Sequence, residues 1–211
     1  DLSSVKANSP GPNSTKTVTP IVEGVGLQEA MKTRAFWIIS IGHAQALLVV
    51  SVAGLYQVPY LEDSLGFSRN SAARIVMLLT AVNMFGQLFG GFLADRFQKS
   101  LMASATIVGH CVALIILAVA DSYGLVIVYA VIQGLSWGVR TPVLTSMRGD
   151  YFGRKSFPLI MGTSQGIAML GMVVGPMLVG YVADHHSYSL GFTIISFMTM
   201  PGIFLFLFMK K

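Results

Sequence analysis

Charged residues are scarce in this chain of 211 residues, where Asp, Glu, Lys and Arg make up 11% and hydrophobic residues 54%. An average soluble domain carries about 25% charged residues, and a water-soluble fold of this size could not bury so much apolar surface. Cysteine is also nearly absent, because Cys111 is the single one. One cysteine excludes a disulfide framework and a cysteine-rich metal site. The composition therefore predicts a membrane protein.

Enzyme signatures are missing as well. The sequence contains no G-x-S-x-G, no H-E-x-x-H and no glycine-rich phosphate loop ending in Lys-Ser/Thr. We therefore expect no catalytic site, no bound metal and no cofactor. The net charge of +5 is not gathered on a compact basic face, because the lysines and arginines stand between the apolar runs. No nucleic-acid partner is expected.

Long uncharged runs recur along the chain. An α-helix rises about 1.5 Å per residue, so roughly 20 apolar residues cross a hydrocarbon core about 30 Å thick. Lipid offers no hydrogen-bond partners to an irregular backbone, so such segments must be helical. The sequence predicts an all-α membrane domain over residues 34–211, embedded in a lipid bilayer. Its six spans are expected near 35–61, 72–94, 100–120, 122–147, 156–183 and 187–209.

The segment before the first span has a different composition. Much of residues 1–33 is rich in Ser, Pro, Thr, Asn and Gly without apolar periodicity, which predicts a flexible, water-exposed segment. Basic residues cluster on one side of the predicted spans, and positive loops stay cytoplasmic. We therefore expect both termini to be cytoplasmic in a plasma or inner cell membrane. The loops on that side are expected to contain Arg96, Lys99, Arg148, Arg154 and Lys155.

Three short patterns resemble the major facilitator superfamily. Residues 91–99 read GFLADRFQK and resemble its G-x-L-A-D-R-x-G-R/K loop, with Gln98 where glycine is usual. Residues 150–155 read DYFGRK and are similar to its D-x-F-G-R-R/K turn. Residues 175–184 read GPMLVGYVAD and are similar to G-P-x-x-x-G-x-x-x-D. The resemblance extends over nearly everything from Gly26 onward and implies one six-helix half of a transporter that rocks against its other half.

The lead-in to the first span bears on which half this is. Residues 27–30 (LQEA) and 34–37 (RAFW) resemble the loop that joins the two halves, which favours the C-terminal half. Residues 1–33 would then be the central loop, the chain a fragment, and the other six-helix half a partner. The glycine spacing of span five is instead similar to that of antiporter N-terminal halves, so both assignments stay open. The lead-in and span five also resemble monocarboxylate-porter-like members.

Polar side chains align on faces of spans one, two and four, as a solute pathway at the midplane requires. Arg140 stands out, because a guanidinium within a span costs at least about 2.5 kcal/mol and its planar fork matches a carboxylate. The alternative is that Arg140 extends to lipid phosphates. The predicted pathway consists of Arg140, Gln133, Trp137, His43, Asn83, Gln87 and Gln57.

Two histidines lie within the predicted spans. His43 could bind substrate or carry a proton, because imidazole titrates near neutral pH; the alternative is a neutral histidine hydrogen-bonded between helices. His110 is interpreted as structural. Because the spans contain no Asp or Glu, a carboxylate proton carrier would have to lie elsewhere, and the coupling ion stays open, with protons as one option.

Two cytoplasmic loops and span five complete the predicted sites. The first loop, with Gly91, Asp95, Arg96 and Lys99, is interpreted as a conformational latch in which carboxylate, guanidinium and helix ends pair and separate. An ordinary positive-inside loop is the alternative. The second loop contributes Asp150, Arg154 and Lys155. In span five, close helix packing or a gating hinge is expected from the glycines and proline at Gly162, Gly166, Gly171, Gly175, Pro176 and Gly180.

Together these features predict a secondary active transporter of a small solute, with an organic anion or monocarboxylate as the leading substrate class. A non-transporting scaffold or receptor-like bundle is the alternative, in which the polar stripes only hold helices together. A channel is less favoured, because no ring of like charge or selectivity-filter sequence is present.

Overall fold

A computed structural model describes residues 24–209, and they form a bundle of α-helices. Six helical segments within this range are long and apolar enough to cross a membrane, which confirms the predicted all-α class. The second helix continues into a π-helical turn, Tyr60–Ser64. The helices are α1 (Leu27–Met31), α2 (Arg34–Pro59), α3 (Arg69–Arg96), α4 (Lys99–Ala118), α5 (Tyr123–Phe152), α6 (Phe157–His185), α7 (Tyr188–Thr199) and α8 (Pro201–Leu207).

Hydroxyl side chains begin several of these helices. Thr33 accepts a hydrogen bond from the Phe36 amide at 3.3 Å and so caps α2. Ser187 caps α7 in the same way through the Leu190 amide. The sixth span is divided into α7 and α8 just before Pro201, since proline has no N–H to continue the hydrogen-bond ladder.

The spans pack chiefly as two pairs, α2 with α6 and α3 with α5, and α4 lies against α5 and α7. Glycines let the paired backbones touch. A Cβ atom added at Gly134 would lie 2.6 Å from the Leu79 carbonyl oxygen, and one at Gly175 would lie 2.7 Å from that of Leu48. Both pairs are therefore packed backbone against backbone.

Apolar side chains form two main clusters, one at each end of the bundle. The first surrounds Tyr60 and Leu117; the second surrounds Phe36 and Phe152, at the end predicted to be cytoplasmic. Buried polar side chains, among them Asn83, lie near the midpoints of α3, α4 and α5, between these clusters. This arrangement puts the polar groups at the depth where a solute site is expected.

The last residues of the lead-in segment contact the helical bundle. Residues 1–23 lie outside the described part of the chain, but Gly24 pairs with Gly153 in an antiparallel bridge, and the Val25 amide donates to the Phe152 carbonyl at 3.0 Å. Ala30 of α1 is fully buried. Residues 24–33 therefore contact the bundle through the backbone of Gly24 and Val25 and the buried Ala30, and the expected flexibility of residues 1–33 stays a prediction.

Candidate substrate pathway

Arg140 lies inside the bundle near the middle of α5. It is 2% exposed, and within residues 24–209 its Nε and Nη1 atoms have no hydrogen-bond partner. Nor does any Asp or Glu of these residues form a salt bridge with it. A guanidinium that extends to lipid phosphates must be exposed, so this position contradicts the snorkelling alternative. Arg140 is a buried cation whose counter-charge is not supplied by the described part of the chain.

Two buried amides in the middle of α3 and α5 also present free donors. Asn83 Oδ1 accepts from Gln87 Nε2 at 2.8 Å, which leaves Asn83 Nδ2 unpartnered. Gln133 Oε1 accepts from His110 Nδ1 at 2.9 Å, which leaves Gln133 Nε2 unpartnered. The amide oxygens are therefore occupied while their N–H groups remain free. A ligand that fits such a centre must offer acceptor oxygens, as a carboxylate does.

His110 contributes more than the sequence indicated. It is fully buried, and because an amide oxygen only accepts, the His110 Nδ1 atom must carry the proton that it donates to Gln133. Its Nε2 atom then has a lone pair and no partner in the described residues. The imidazole interpreted as structural thus holds the orientation of a predicted pathway residue.

Arg148 is the residue that the sequence analysis placed wrongly. It was expected in the loop after span four, but α5 continues to Phe152 and Arg148 is 1% exposed. Its Nε donates to Ser164 Oγ at 3.1 Å and its Nη2 donates to His43 Nδ1 at 3.0 Å. Ser164 Oγ also lies 2.9 Å from Ser40 Oγ. Arg148 therefore joins α5 to α2 and α6 within the bundle.

Helical spacing could have revealed Arg148. It follows Trp137 by eleven residues, which returns to nearly the same face of an α-helix. The prediction failed because a cation beside Gly149 and Asp150 satisfies the positive-inside rule equally well.

The other predicted pathway residues are divided among different surroundings. Gln57 is buried, but its Oε1 accepts from the Tyr129 hydroxyl at 2.9 Å, in a separate bonded pair between α2 and α5. Trp137 is half-buried against apolar side chains. Gln87 is exposed, although its side chain bonds to Asn83. The structure thus connects Asn83 with Gln87 and His43 with Arg148, and leaves Gln57 apart from both.

The two loops predicted to be cytoplasmic meet through a different pair of residues from the one expected. Lys99 Nζ donates to Asp150 Oδ2 at 2.6 Å, and this is the one salt bridge formed within residues 24–209. Arg96 instead lies over the Phe92 ring, 4.5 Å from its centroid, and Asp95 is exposed. The expected pairing of Asp95 with Arg96 is therefore not formed, because Arg96 covers the aromatic ring of its own helix.

A cavity of about 360 Å³ opens beside this salt bridge, between the ends of α3 and α5. Asp95, Lys99 and Asp150 are among its lining residues. Arg154 and Lys155 lie exposed in the following turn, and Gly91 has no neighbour within 4 Å that a side chain would meet.

The glycines of α6 differ in how closely other parts of the protein approach them. A side chain at Gly171 would collide with the Ala44 carbonyl, and one at Gly180 would lie 2.6 Å from the Tyr56 hydroxyl oxygen. The Pro176 carbonyl accepts a hydrogen bond from that hydroxyl at 3.0 Å. Gly162 and Gly166 meet nothing within 4 Å among the described residues, so the close packing expected there stays a prediction. The possibility of a hinge at Pro176 stays a prediction.

The fold and its buried polar centre define a class: a multi-pass helical membrane protein with an interior rich in hydrogen-bond donors. The Major Facilitator Superfamily sequence model matches residues 39–211, and the chain belongs to that superfamily.

Known proteins resemble the chain over part of their length. It is 26% identical over 187 residues to monocarboxylate transporter 2 of Mesocricetus auratus, covering 83% of this chain and 37% of that protein. It is 26% identical over 146 residues to the cis,cis-muconate transport protein of Acinetobacter baylyi, covering 64% and 33%. The chain thus spans about a third of the length of these relatives. A peptide transporter POT crystallised with sulfate has the same fold, with a TM-score of 0.74, 19% identity, and coverage of 87% of this chain and 41% of that one.

Proposed function

We propose that the chain is one six-helix half of a secondary active transporter, and that it carries a small organic anion by alternating access. The observation that carries this proposal is Arg140, a guanidinium that is 2% exposed and has unpartnered N–H groups. A buried charge without a partner is costly and is retained where it has an interior role. Two similar proteins are named for transport of organic anions, monocarboxylate and muconate, which supports this substrate class.

The proposed recognition follows from donor geometry. A carboxylate beside Arg140 would accept from its Nε and Nη1 atoms in the forked arrangement that a guanidinium prefers. The free amide N–H groups of Asn83 and Gln133 would donate hydrogen bonds to the remaining lone pairs of the carboxylate. Such bonds are strong in a water-poor interior, because charge is poorly screened there. The anion would thereby supply the missing counter-charge.

Alternating access would come from rocking of this half against the other one. We place both termini and the Lys99–Asp150 salt bridge on the cytoplasmic side of a plasma or inner cell membrane, and we assign the chain to the C-terminal half. The salt bridge joins the beginning of α4 to the end of α5, so its breakage and re-formation would accompany opening on that side. Gly91, Asp95 and Arg96 would belong to the same latch.

Substrate counterflow tests the proposal. The full-length protein in proteoliposomes preloaded with lactate, pyruvate or succinate should show saturable exchange with the same labelled anion outside. Arg140→Gln should lower exchange at least about tenfold, since a lost charge-assisted contact is worth roughly 1.5–3 kcal/mol. Arg140→Lys should retain part of it, because the charge remains without the fork. Arg74→Gln is the matched control, since that arginine is exposed near the start of α3.

Two results would contradict this function. Exchange of neutral or cationic solutes without any exchange of the three anions would reject the substrate class. Absence of exchange across all solutes, with correctly folded protein, would favour the scaffold alternative.

A further inference from the structure

Two positive charges are buried within the described spans, and no negative charge is buried with them. Arg140 and Arg148 are 2% and 1% exposed. Every Asp and Glu of residues 24–209 stands at the end of a span or outside the spans. The one salt bridge formed within these residues joins Lys99 to Asp150. Both buried guanidiniums therefore lack a carboxylate in the described part of the chain.

The two arginines are close enough to act on each other. Both belong to α5, and their places in the sequence put their Cα atoms about 12 Å apart along the helix axis. The charge of Arg148 acts on the Arg140 guanidinium, and both charges act on the His43 ring. Like charges repel strongly in a water-poor interior, because they are poorly screened there. A ligand with two negative charges that contacts both arginines would offset this repulsion.

Arg148 keeps hydrogen-bond donors for a ligand although it already joins three helices. It donates from Nε to Ser164 and from Nη2 to His43, and no bond of Nη1 is formed within residues 24–209. A guanidinium has more N–H groups than these two bonds use. His43 is half-buried, so the Arg148–His43 bond lies at the edge of the enclosed region. Arg148 can therefore bind an anion without losing its contacts to α2 and α6.

We propose that the solute is a dicarboxylate, with one carboxylate bound to Arg140 and the other to Arg148. This inference rests on the proposed function and narrows its substrate class. Arg140 Nε and Nη1 donate to the first carboxylate, and Arg148 Nη1 donates to the second. A monocarboxylate would offset the charge of one guanidinium and leave the other without a counter-charge.

The spacing of the arginines also bears on the spacing of the two negative charges. About two turns of α5 separate their Cα atoms, which favours a ligand whose charges stand apart. Malonate holds its carboxylates closer together than succinate, glutarate and adipate do. Sulfate and phosphate gather their charge on a single group. We therefore expect the longer dicarboxylates to bind better than malonate or the two inorganic anions.

Competition between each dicarboxylate and its own monomethyl ester tests the proposal. Full-length protein in proteoliposomes exchanges labelled succinate, and unlabelled anions compete near neutral pH, where both carboxylates are ionised. A monomethyl ester has nearly the same shape and one negative charge fewer. The best-fitting dicarboxylate should compete at a concentration at least about tenfold lower than its ester, because the ester lacks one charge-assisted contact.

Substitution of Arg148 tests which residue provides the second contact. In Arg148→Gln the preference for a dicarboxylate over its ester should nearly disappear, and Arg148→Lys should retain part of it, because the charge remains. Both ligands are compared in one preparation, so a lower yield of folded protein does not change their ratio. Arg74→Gln is the matched control, since that arginine is exposed, and it should keep the full preference. If Arg148→Gln does not fold, the comparison in the unmodified protein still decides.

Three results would overturn the proposal. Equal competition by dicarboxylates and their esters would show that one charge is enough, and equal competition by sulfate would show that the charges need not stand apart. An unchanged preference in Arg148→Gln would mean that Arg148 does not bind the second carboxylate. Exchange of lactate or pyruvate without exchange of succinate would reject the dicarboxylate alone, whereas failure of all three anions would reject the proposed function.

Discussion

Two buried arginines of α5 differ in what surrounds them. Arg148 is 1% exposed and donates to Ser164 and His43, so it joins three helices. Arg140 is 2% exposed, yet its Nε and Nη1 have no partner among the described residues. Equal burial of the same side chain thus has opposite consequences for stability. The Arg148 guanidinium joins three helices, and the burial of the Arg140 guanidinium is not offset by hydrogen bonds from Nε and Nη1 within the described residues.

Loose packing does not explain this difference. Arg148 bonds toward α2 and α6, which touch at Gly171 and Gly175, and Arg140 lies in the helix that touches α3 at Gly134 and Gly138. Both helix pairs are in backbone contact. The contrast therefore lies in which polar groups the neighbouring helices present, and the variants below are designed to test that statement.

The largest loss of stability is expected when a glycine at the α2–α6 or the α3–α5 contact is replaced by alanine. A Cβ atom at Gly138 would collide with the Asn83 carbonyl and one at Gly171 with the Ala44 carbonyl, so each substitution should destabilise by about 3 kcal/mol or more. Thermal unfolding in detergent and the yield of monodisperse protein measure the effect. Gly162→Ala is the control, because that position has open space around it. A loss of stability at only one of the two contacts would show that the two helix pairs are not packed equally tightly. Loose packing could then explain the difference between the two arginines.

The next-largest changes in the free energy of unfolding should have opposite signs for substitutions of the two arginines. Arg148→Met removes two charge-assisted hydrogen bonds and should lower the free energy of unfolding by about 2–3 kcal/mol. Arg140→Met removes an unpartnered buried charge and should raise it by roughly 1 kcal/mol, while abolishing anion exchange. Chemical or thermal unfolding of both variants against the unmodified protein gives the two values. Destabilisation by both to the same extent would mean that Arg140 also has partners in the folded protein.

Much of the fold could be predicted because its cause is local. The six spans follow from uncharged runs, and the stripe of Gln133 and Arg140 follows from a spacing of seven residues. The glycine spacings Gly86–Gly90 and Gly134–Gly138 indicate the α3–α5 contact in the same way as the glycine spacings of span five indicate close helix packing there.

The parts that were missed depend on contacts distant in sequence. Arg148 is a loop cation or a buried one according to where α5 ends, and no pattern within the helix determines that end. The bridge between Gly24 and Gly153 likewise joins segments far apart in the chain. Which atoms of Asn83 and Gln133 remain free also depends on partners supplied by other residues, so the excess of donors could not be read from residue types.

A smaller effect is expected from Ser164→Ala. The substitution removes the acceptor of Arg148 Nε and a neighbour of Ser40, and it should destabilise by about 1 kcal/mol. In the double variant with Arg148→Met, the loss of unfolding free energy should be smaller than the sum of the two single losses, because both substitutions remove the same hydrogen bond. A double-mutant cycle of unfolding free energies measures this coupling. Thr163→Ala is the neighbouring control, since its hydroxyl bonds only within α6. Additive effects would indicate that the Arg148–Ser164 bond contributes nothing.

The smallest effect should come from the salt bridge at the surface. Lys99 and Asp150 have side chains 20% and 35% exposed, so water and salt screen their attraction, unlike that of a charge in the bundle interior. Lys99→Gln should change the free energy of unfolding by less than about 1 kcal/mol, and the difference should diminish further in high salt. Unfolding at low and high ionic strength measures both values, with Lys155→Gln as an exposed control outside the pair. A loss of unfolding free energy as large as that of Arg148→Met would contradict the difference between exposed and buried charges. It would require that the Lys99–Asp150 pair be shielded from solvent in the folded protein.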